Sequence, residues 1–243
     1  MIGEQGSTIL QGGIIAAGQG SRLRADGYSV SKPMVRVAGR PLIDHALVRF
    51  RAAGIRRLTV IINDTSDDCR NWLDRNGGDF DLDLIVRTTP SSYASFQLVA
   101  DRLAPAPAIV TTIDGVMPTA DFCAFVKAAA GYPEGAMVLG LTGCSHDENP
   151  LWATLDAADG RIRKLGGGGG SHVTAGLYVF KGRRPTKPAK GFARLRDYLS
   201  WLVLAGHPVH GIVLPQVFDI DRRLDVEAAE RASVGNESRS NRP

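Results

Sequence analysis

A glycine-rich segment with two cations contains the residues best suited to chemistry. Residues 14–17 are apolar and predict a buried strand, and Gly18 and Gly20 follow in a turn. A turn of small residues after a strand leaves backbone N–H groups pointing outward, where they favour phosphate. Arg22 offers a bidentate fork for phosphate oxygens, and Lys32 offers a compact point charge. The spacing therefore predicts a phosphate-binding loop.

Other glycine motifs do not fit this segment. A P-loop needs Gly-Lys-Ser/Thr where Ser21 and Arg22 stand, and a dinucleotide fingerprint needs a third glycine at Leu23. A nucleophile elbow would need Gly-x-Ser-x-Gly, whereas residues 18–22 read GQGSR. The simpler alternative is that the glycines only turn a strand into a loop. The two cations and the Lys32-Pro33 pair favour the phosphate-binding interpretation instead.

The segment resembles the signature of sugar-nucleotide pyrophosphorylases and related cytidylyltransferases. That signature reads A-A-G-x-G-[ST]-R-[LM], then a Lys-Pro pair, then a G-[RKQ]-P-L-I run. Here the matching stretches are AAGQGSRL at 16–23, KP at 32–33 and GRPLI at 39–43. Weaker similarity extends to about Glu230. The resemblance implies a nucleotide-diphospho-sugar transferase fold and a nucleotidyltransferase that uses an NTP.

The resemblance also assigns the nucleotide side of the site. It implies that Arg22 and Lys32 are the catalytic cations, with Arg22 on the β- and γ-phosphates and Lys32 by the α-phosphate. It further implies a set of nucleotide-binding residues in the loop and in a later helix. These residues are Ala16, Ala17, Gly18, Gly20, Ser21, Ser91 and Ser95.

Composition sets broad limits. The net charge of +4 is small and scattered, which suits small anionic substrates and does not favour nucleic acid. Three scattered cysteines favour reduced thiols in a cytoplasmic protein. The first residues do not resemble a signal peptide, and no apolar run approaches the length that spans a bilayer. We therefore expect a cytoplasmic protein without a membrane partner, and the oligomeric state stays open.

Strands alternate with helices along the first 141 residues. This rhythm predicts an α/β fold, a three-layer, doubly wound and mainly parallel mixed sheet. The expected organisation is one nucleotidyltransferase domain over 1–232. Its nucleotide-binding half covers about 9–141, its acceptor-binding half covers 142–232, and a polar tail at 233–243 is expected to be disordered. In the second half, Asp159-Gly160 predicts the turn of a hairpin.

Three aspartates are candidate metal ligands. Asp114 follows the apolar strand at 108–113, which places it at the edge where parallel sheets bind ligands. A carboxylate beside a triphosphate suits Mg²⁺, although an Asp-Gly pair can also be a plain turn. Residues 218–221 resemble the family segment whose carboxylate completes the metal site. Strand alternation puts Asp219 and Asp221 on one face, and the sequence does not choose between them.

The acceptor side is less regular. Residues 173–180 resemble the family's N-A-G-[IL]-Y-V-F strand, which implies acceptor contacts from Thr174 and Gly176. The family's Glu-Lys-Pro segment is absent, so Lys164 is the candidate for the acceptor phosphate, with Arg163 as an alternative. The five glycines Gly166–Gly170 indicate either a mobile loop over the substrate or a flexible connection.

The expected function is transfer of NMP from an NTP to a sugar-1-phosphate or similar phosphomonoester, with release of pyrophosphate. The partners are thus CTP, UTP, GTP or ATP and a small phosphorylated acceptor, with Mg²⁺ as cofactor. A cytidylyltransferase for phosphocholine or another alcohol phosphate would share every nucleotide-side residue. A glycosyltransferase would need a D-x-D pair, which Asp114-Gly115-Val116 is not. A non-catalytic nucleotide-binding domain is the third alternative.

Overall fold

A computed structural model describes residues 8–143, 149–185 and 191–240, with side chains placed up to residue 232. The strands are β1 (Gln11–Ala16), β2 (Arg36–Val37), β3 (Arg40–Pro41), β4 (Arg57–Ile62), β5 (Asp81–Val86), β6 (Ala108–Thr112), β7 (Gly115–Val116), β8 (Met137–Thr142), β9 (Trp152–Leu155), β10 (Ile162–Leu165), β11 (His172–Phe180), β12 (Val209–Leu214) and β13 (Phe218–Asp219). The helices are α1 (Ser21–Ala25), α2 (Leu42–Ala52), α3 (Asp67–Asn76), α4 (Ser92–Leu103), α5 (Thr119–Ala130), α6 (Leu195–Leu204) and α7 (Arg223–Ser240), with a 3₁₀ turn at Lys32–Met34.

A nine-stranded mixed sheet forms the centre of the described part of the chain. Its main path is β10-β9-β11-β6-β1-β4-β5, and β8 joins β11 to β12. The strands of the first half pair in parallel, with β1 between β4 and β6 and with β5 beside β4. Apolar β-branched runs such as residues 58–62 are buried on both faces, as parallel strands require. The predicted doubly wound, mainly parallel sheet is confirmed.

Strand β11 joins the two halves of the sheet. It runs antiparallel to β6 on one side and to β8 and β9 on the other. The register against β8 shifts between Thr174 and Tyr178, and Gly176 within this irregularity has a φ of 69°. Irregularities of this kind re-aim side chains beside functional sites. The predicted hairpin is confirmed, since β9 and β10 pair antiparallel across Gly160.

Two apolar cores lie on opposite faces of the sheet and give the three layers. One core contains side chains from α2, α3, α5 and α7, including Phe50 and Phe122. The other contains side chains from α4 and α6, including Phe96 and Tyr198. The helices pack closely because β1 carries glycines. A Cβ at Gly12 would lie 2.2 Å from the Phe50 ring.

The end of the chain differs from the sequence-based expectation. Helix α7 continues to Ser240, where a disordered tail was expected to begin at residue 233. Helix continuation needs only backbone hydrogen bonds and tolerates a polar surface, so polar composition alone does not end a helix. The last three residues, 241–243, lie outside the described part of the chain.

Within the described residues, no helix combines the length and the apolar character needed to cross a bilayer.

Candidate active site

The glycine loop folds against Lys32, which comes twelve residues after Gly20 in the sequence. Gly20 has a φ of 60°, and a Cβ on it would lie 2.8 Å from the Cβ of Lys32. Both features require glycine at this position. At the start of the loop, the buried Asn63 side chain donates a hydrogen bond of 3.2 Å to the carbonyl oxygen of Ala17. The loop is thus fixed at both ends, by β4 and by the 3₁₀ turn.

Lys32 connects distant parts of the chain. Its Nζ donates to Asp114 Oδ2 at 2.8 Å and to Asp221 Oδ1 at 2.6 Å. Asp114 follows β6 at the carboxyl edge of the sheet, and Asp221 follows β13, which pairs with β7 directly after Asp114. The backbone N–H of Ile220 donates to the Asp114 carbonyl oxygen at 3.0 Å. The short β13–β7 ladder therefore brings both carboxylates to the lysine.

The pKa values of this cluster follow from burial and pairing. Burial lowers the pKa of Lys32, but the charges and hydrogen bonds of Asp114 and Asp221 outweigh it and raise that pKa above its ordinary value. Burial likewise raises the pKa of Asp114, while Lys32 and a hydrogen bond from Thr112 hold it below its usual range. Lys32 and Asp114 are therefore both charged at neutral pH.

The three predicted metal ligands lie together. Carboxylate oxygens of Asp114, Asp219 and Asp221 all lie within 4.8 Å of one another. Carboxylate oxygens suit Mg²⁺, which takes one or two of them together with waters and phosphate oxygens. The donor set therefore fits a magnesium ion, and both Asp219 and Asp221 are near enough to take part.

Arg22 lies on the same side of the molecule as the carboxylates. It is in the first turn of α1, and its Nη1 donates to Asp221 Oδ2 at 2.7 Å. Its side chain remains 41% exposed, compared with 8% for Lys32. The Arg22 side chain is thus accessible to an anion from solvent, whereas the Lys32 side chain is buried between its two carboxylates.

A cavity on the nucleotide side lies next to the loop. It has a volume of about 320 Å³, and Gly18, Lys32 and Asn63 line it. Ser21 opens α1 and is exposed, and Ala16 ends β1 as a fully buried residue.

The two predicted serines on the nucleotide side have internal partners. The Oγ of Ser91 accepts a hydrogen bond from the N–H of Ala94 and caps α4. Ser95 is buried, and its Oγ lies 2.6 Å from Oγ1 of Thr89. Neither serine lines either of the two site cavities. Both hydroxyls thus stabilise the start of α4.

A second cavity opens from the carboxylates toward β11 and α6. It is called the acceptor-side cavity because predicted acceptor residues line it. Its volume is about 190 Å³. The predicted residues Thr174 and Gly176 line it together with Asp114 and Asp219. A Cβ on Gly176 would lie 2.2 Å from Oγ1 of Thr112, so the glycine preserves the threonine that bonds Asp114.

One predicted acceptor residue lies elsewhere. Lys164 is exposed on the edge strand β10 and does not line the acceptor-side cavity. Ile162 and Leu165 are buried and Lys164 is exposed, because the pairing with β9 shifts register between Ile162 and Lys164, so that simple alternation does not hold along β10. Sequence reasoning also missed Asn63, Thr112 and Arg196, which no short motif singles out.

Comparison with known proteins identifies the class of this fold. The chain aligns with the solved structure of the inositol-1-phosphate CTP transferase from T. maritima with a TM-score of 0.77 and 18% identity, covering 93% of this chain and 96% of that one. It therefore has the nucleotide-diphospho-sugar transferase fold of nucleotidyltransferases. The chain belongs to the family of MobA-like NTP transferase domains, whose model matches residues 12–209.

Curated relatives are sugar-1-phosphate nucleotidyltransferases. A glucose-1-phosphate thymidylyltransferase of Actinoplanes sp. is 30% identical over 123 residues, covering 49% of this chain and 41% of the relative. A mannose-1-phosphate guanyltransferase of Gibberella zeae is 26% identical over 185 residues, covering 70% and 49%. The matched region thus spans less than half the length of these two relatives.

Proposed function

We propose that this chain transfers a nucleoside monophosphate from an NTP to a sugar-1-phosphate or a similar phosphomonoester in a magnesium-dependent reaction. A phosphate oxygen of the acceptor attacks the α-phosphorus, the bond to the β-phosphate oxygen breaks, and pyrophosphate leaves. The acceptor phosphate is already anionic, so the protein need not supply a nucleophile. Position and charge are what the chain has to contribute.

One observation carries this proposal. Two cations near the glycine loop, Arg22 and Lys32, meet carboxylates from two distant segments at the carboxyl edge of the sheet. A plain turn at the loop would require no such meeting of charges. Phosphoryl transfer does require it, because charge shifts among the phosphate oxygens and the leaving group in the transition state.

We infer a role for each residue of the site. Amides around Gly18 and Gly20, with Ser21, receive the β- and γ-phosphates together with Arg22, and Lys32 turns from its carboxylates to the α-phosphate. Ala16 and Ala17 lie beside the base, where Ser91 and Ser95 support the neighbouring helix. Asp114, Asp219 and Asp221 would hold Mg²⁺, which supplies positive charge to the phosphates when it is bound. The acceptor enters the cavity at Thr174 and Gly176.

A matrix of substrates tests the proposal. The four common NTPs are each combined with a panel of phosphomonoesters, including sugar 1-phosphates, an inositol phosphate and phosphocholine, and pyrophosphate release is measured with and without Mg²⁺. We expect release only for particular pairs and only with a divalent ion. Nucleotide binding without pyrophosphate release from any pair would instead identify a non-catalytic nucleotide-binding domain.

A further inference from the structure

We propose that Arg196 binds the phosphate of the acceptor. The inference rests on the proposed function, since it names the acceptor contact of that same site. Arg196 is the second residue of α6 and lines the acceptor-side cavity that also holds Asp114 and Asp219.

The charge of Arg196 distinguishes it from the rest of the cavity. Among the residues that line this cavity in the described part of the chain, it is the only cation, and its polar neighbours there include three aspartates. A phosphate entering beside those carboxylates meets repulsion unless a cation faces it. Lys32 lies at the base of the site and is already paired with two carboxylates. Arg196 is thus the cation still available to an acceptor.

The side chain of Arg196 has an unused capacity to bind. Its Nη2 donates to the carbonyl oxygen of Asn149 at 2.8 Å, and within the described ranges no ion pair joins it to a carboxylate. A guanidinium has five N–H donors, and a phosphate takes two of them side by side. The hydrogen bond to the Asn149 carbonyl oxygen orients the guanidinium and leaves its other N–H groups available to a ligand.

The position of Arg196 is not explained by helix stability. A cation in the first turn of a helix faces the positive end of the helix dipole and is mildly unfavourable there. An anion bound at the same place would be favoured by both the dipole and the guanidinium. A bound phosphate would therefore offset the unfavourable interaction between the helix dipole and the half-buried Arg196 side chain.

Tyr178 links Arg196 to the reacting end of the cavity. Burial is the largest cause that raises the pKa of Tyr178, the charges of Asp114 and Asp219 raise it further, and Arg196 opposes them. The arginine and the carboxylates thus act on one tyrosine, which itself lines the cavity. A phosphate held by Arg196 would lie next to the carboxylates at which the nucleotide reacts.

The alternative cation on this side does not reach the cavity. Lys164 is exposed on β10, and the Gly166–Gly170 loop lies beside it, where a Cβ on Gly167 would be 3.4 Å from the Lys164 side chain. Of these two cations, only Arg196 lines the acceptor-side cavity.

The test compares Arg196→Gln and Arg196→Lys with Arg57→Gln, a control that removes an exposed arginine at the amino end of β4. With the substrate pair found for the wild type, we expect Arg196→Gln to raise the acceptor KM by roughly tenfold to a hundredfold, the scale of a lost charge-assisted hydrogen bond. The NTP KM should stay unchanged, and Arg196→Lys should fall between. An unchanged acceptor KM, or an equal rise for the NTP, would overturn the proposal.

A binding measurement separates this proposal from the function on which it rests. Inorganic phosphate is titrated into wild type, Arg196→Gln and Arg57→Gln by calorimetry without nucleotide, so the result does not depend on turnover. We expect weaker phosphate binding in Arg196→Gln alone. Absence of pyrophosphate release from the wild type would defeat the proposed function, whereas equal phosphate binding in all three proteins would defeat the role of Arg196.

Discussion

Replacement of Lys32 by methionine is the most informative single change in this protein. The substitution keeps much of the side-chain length and removes the charge that pairs with Asp114 and Asp221 at 2.8 and 2.6 Å. The two carboxylates then lie close together without the cation between them. Two opposite effects should follow, a loss of turnover and a gain of metal affinity.

The size of each effect can be worked from the contacts. Loss of one group that stabilises developing charge lowers turnover by about a hundredfold to a thousandfold. For stability, the carboxylates of Asp114 and Asp221 are 26% and 32% exposed, so water recovers part of the lost pairing. A destabilisation of about 1–3 kcal/mol is expected, the usual scale for a polar group that loses its partner.

Metal affinity should change in the other direction. Lys32 neutralises the carboxylates that would otherwise bind a divalent cation, so its removal leaves them available. Without nucleotide, we expect Lys32→Met to bind Mg²⁺ about tenfold more tightly than the wild type, since one competing charge-assisted hydrogen bond is worth roughly that factor. Thermal melts with and without Mg²⁺ report this change independently of turnover.

The assay combines pyrophosphate release, circular dichroism and the magnesium titration. Lys127→Met on the exposed face of α5 is the matched control and should behave like the wild type in all three. A folded Lys32→Met with near wild-type turnover would refute the catalytic role. Unchanged or weaker magnesium binding would refute the claim that the lysine competes for the metal ligands.

Three further predictions concern the framework around the site. Burial lowers the pKa of His45, so below about pH 6.5 the unfolded chain takes up a proton that the folded chain resists. The free energy of unfolding should therefore fall as the pH drops through this range, and it should fall less in His45→Gln. Urea titrations at several pH values measure this difference. Arg49 is buried without a hydrogen-bond partner for its guanidinium among the described residues, and burial lowers its pKa to about 10. Arg49→Met should therefore leave the melting temperature unchanged or raise it, and a clear fall would reveal a partner for this charge. Gly176→Ala forces a Cβ to 2.2 Å from Oγ1 of Thr112 at a positive φ, so turnover should fall by about tenfold or more, while Gly78→Ala, which meets open space, should keep wild-type pyrophosphate release.

Much of the fold could be predicted from local pattern. Apolar β-branched runs separated by amphipathic helices determine a doubly wound sheet, and the carboxyl ends of the parallel strands then share one edge. The glycine loop and Asp114 were therefore expected together. The regular alternation of strands and helices also ends after the first 141 residues, and the second half contains the antiparallel strand β11.

The side-chain contacts at the site were less accessible from sequence. Lys32 and Asp221 are separated by 189 positions, and their meeting depends on the two-residue ladder between β13 and β7. Periodicity reports which face of an element is buried and says nothing about which partner it meets. For the same reason Arg196 was overlooked and Lys164 was favoured, although only Arg196 lines the acceptor-side cavity.

The pairing of cations with carboxylates bears on how the site handles a highly charged ligand. A triphosphate entering the loop brings anionic oxygens to Arg22 and Lys32, both of which already have carboxylate partners. Each cation can exchange one anionic partner for another, so it need not be stripped of water at that moment. Each carboxylate released in the exchange becomes a ligand for the metal that accompanies the nucleotide. Nucleotide and metal should therefore strengthen each other's binding, because the same lysine opposes the metal when the nucleotide is absent.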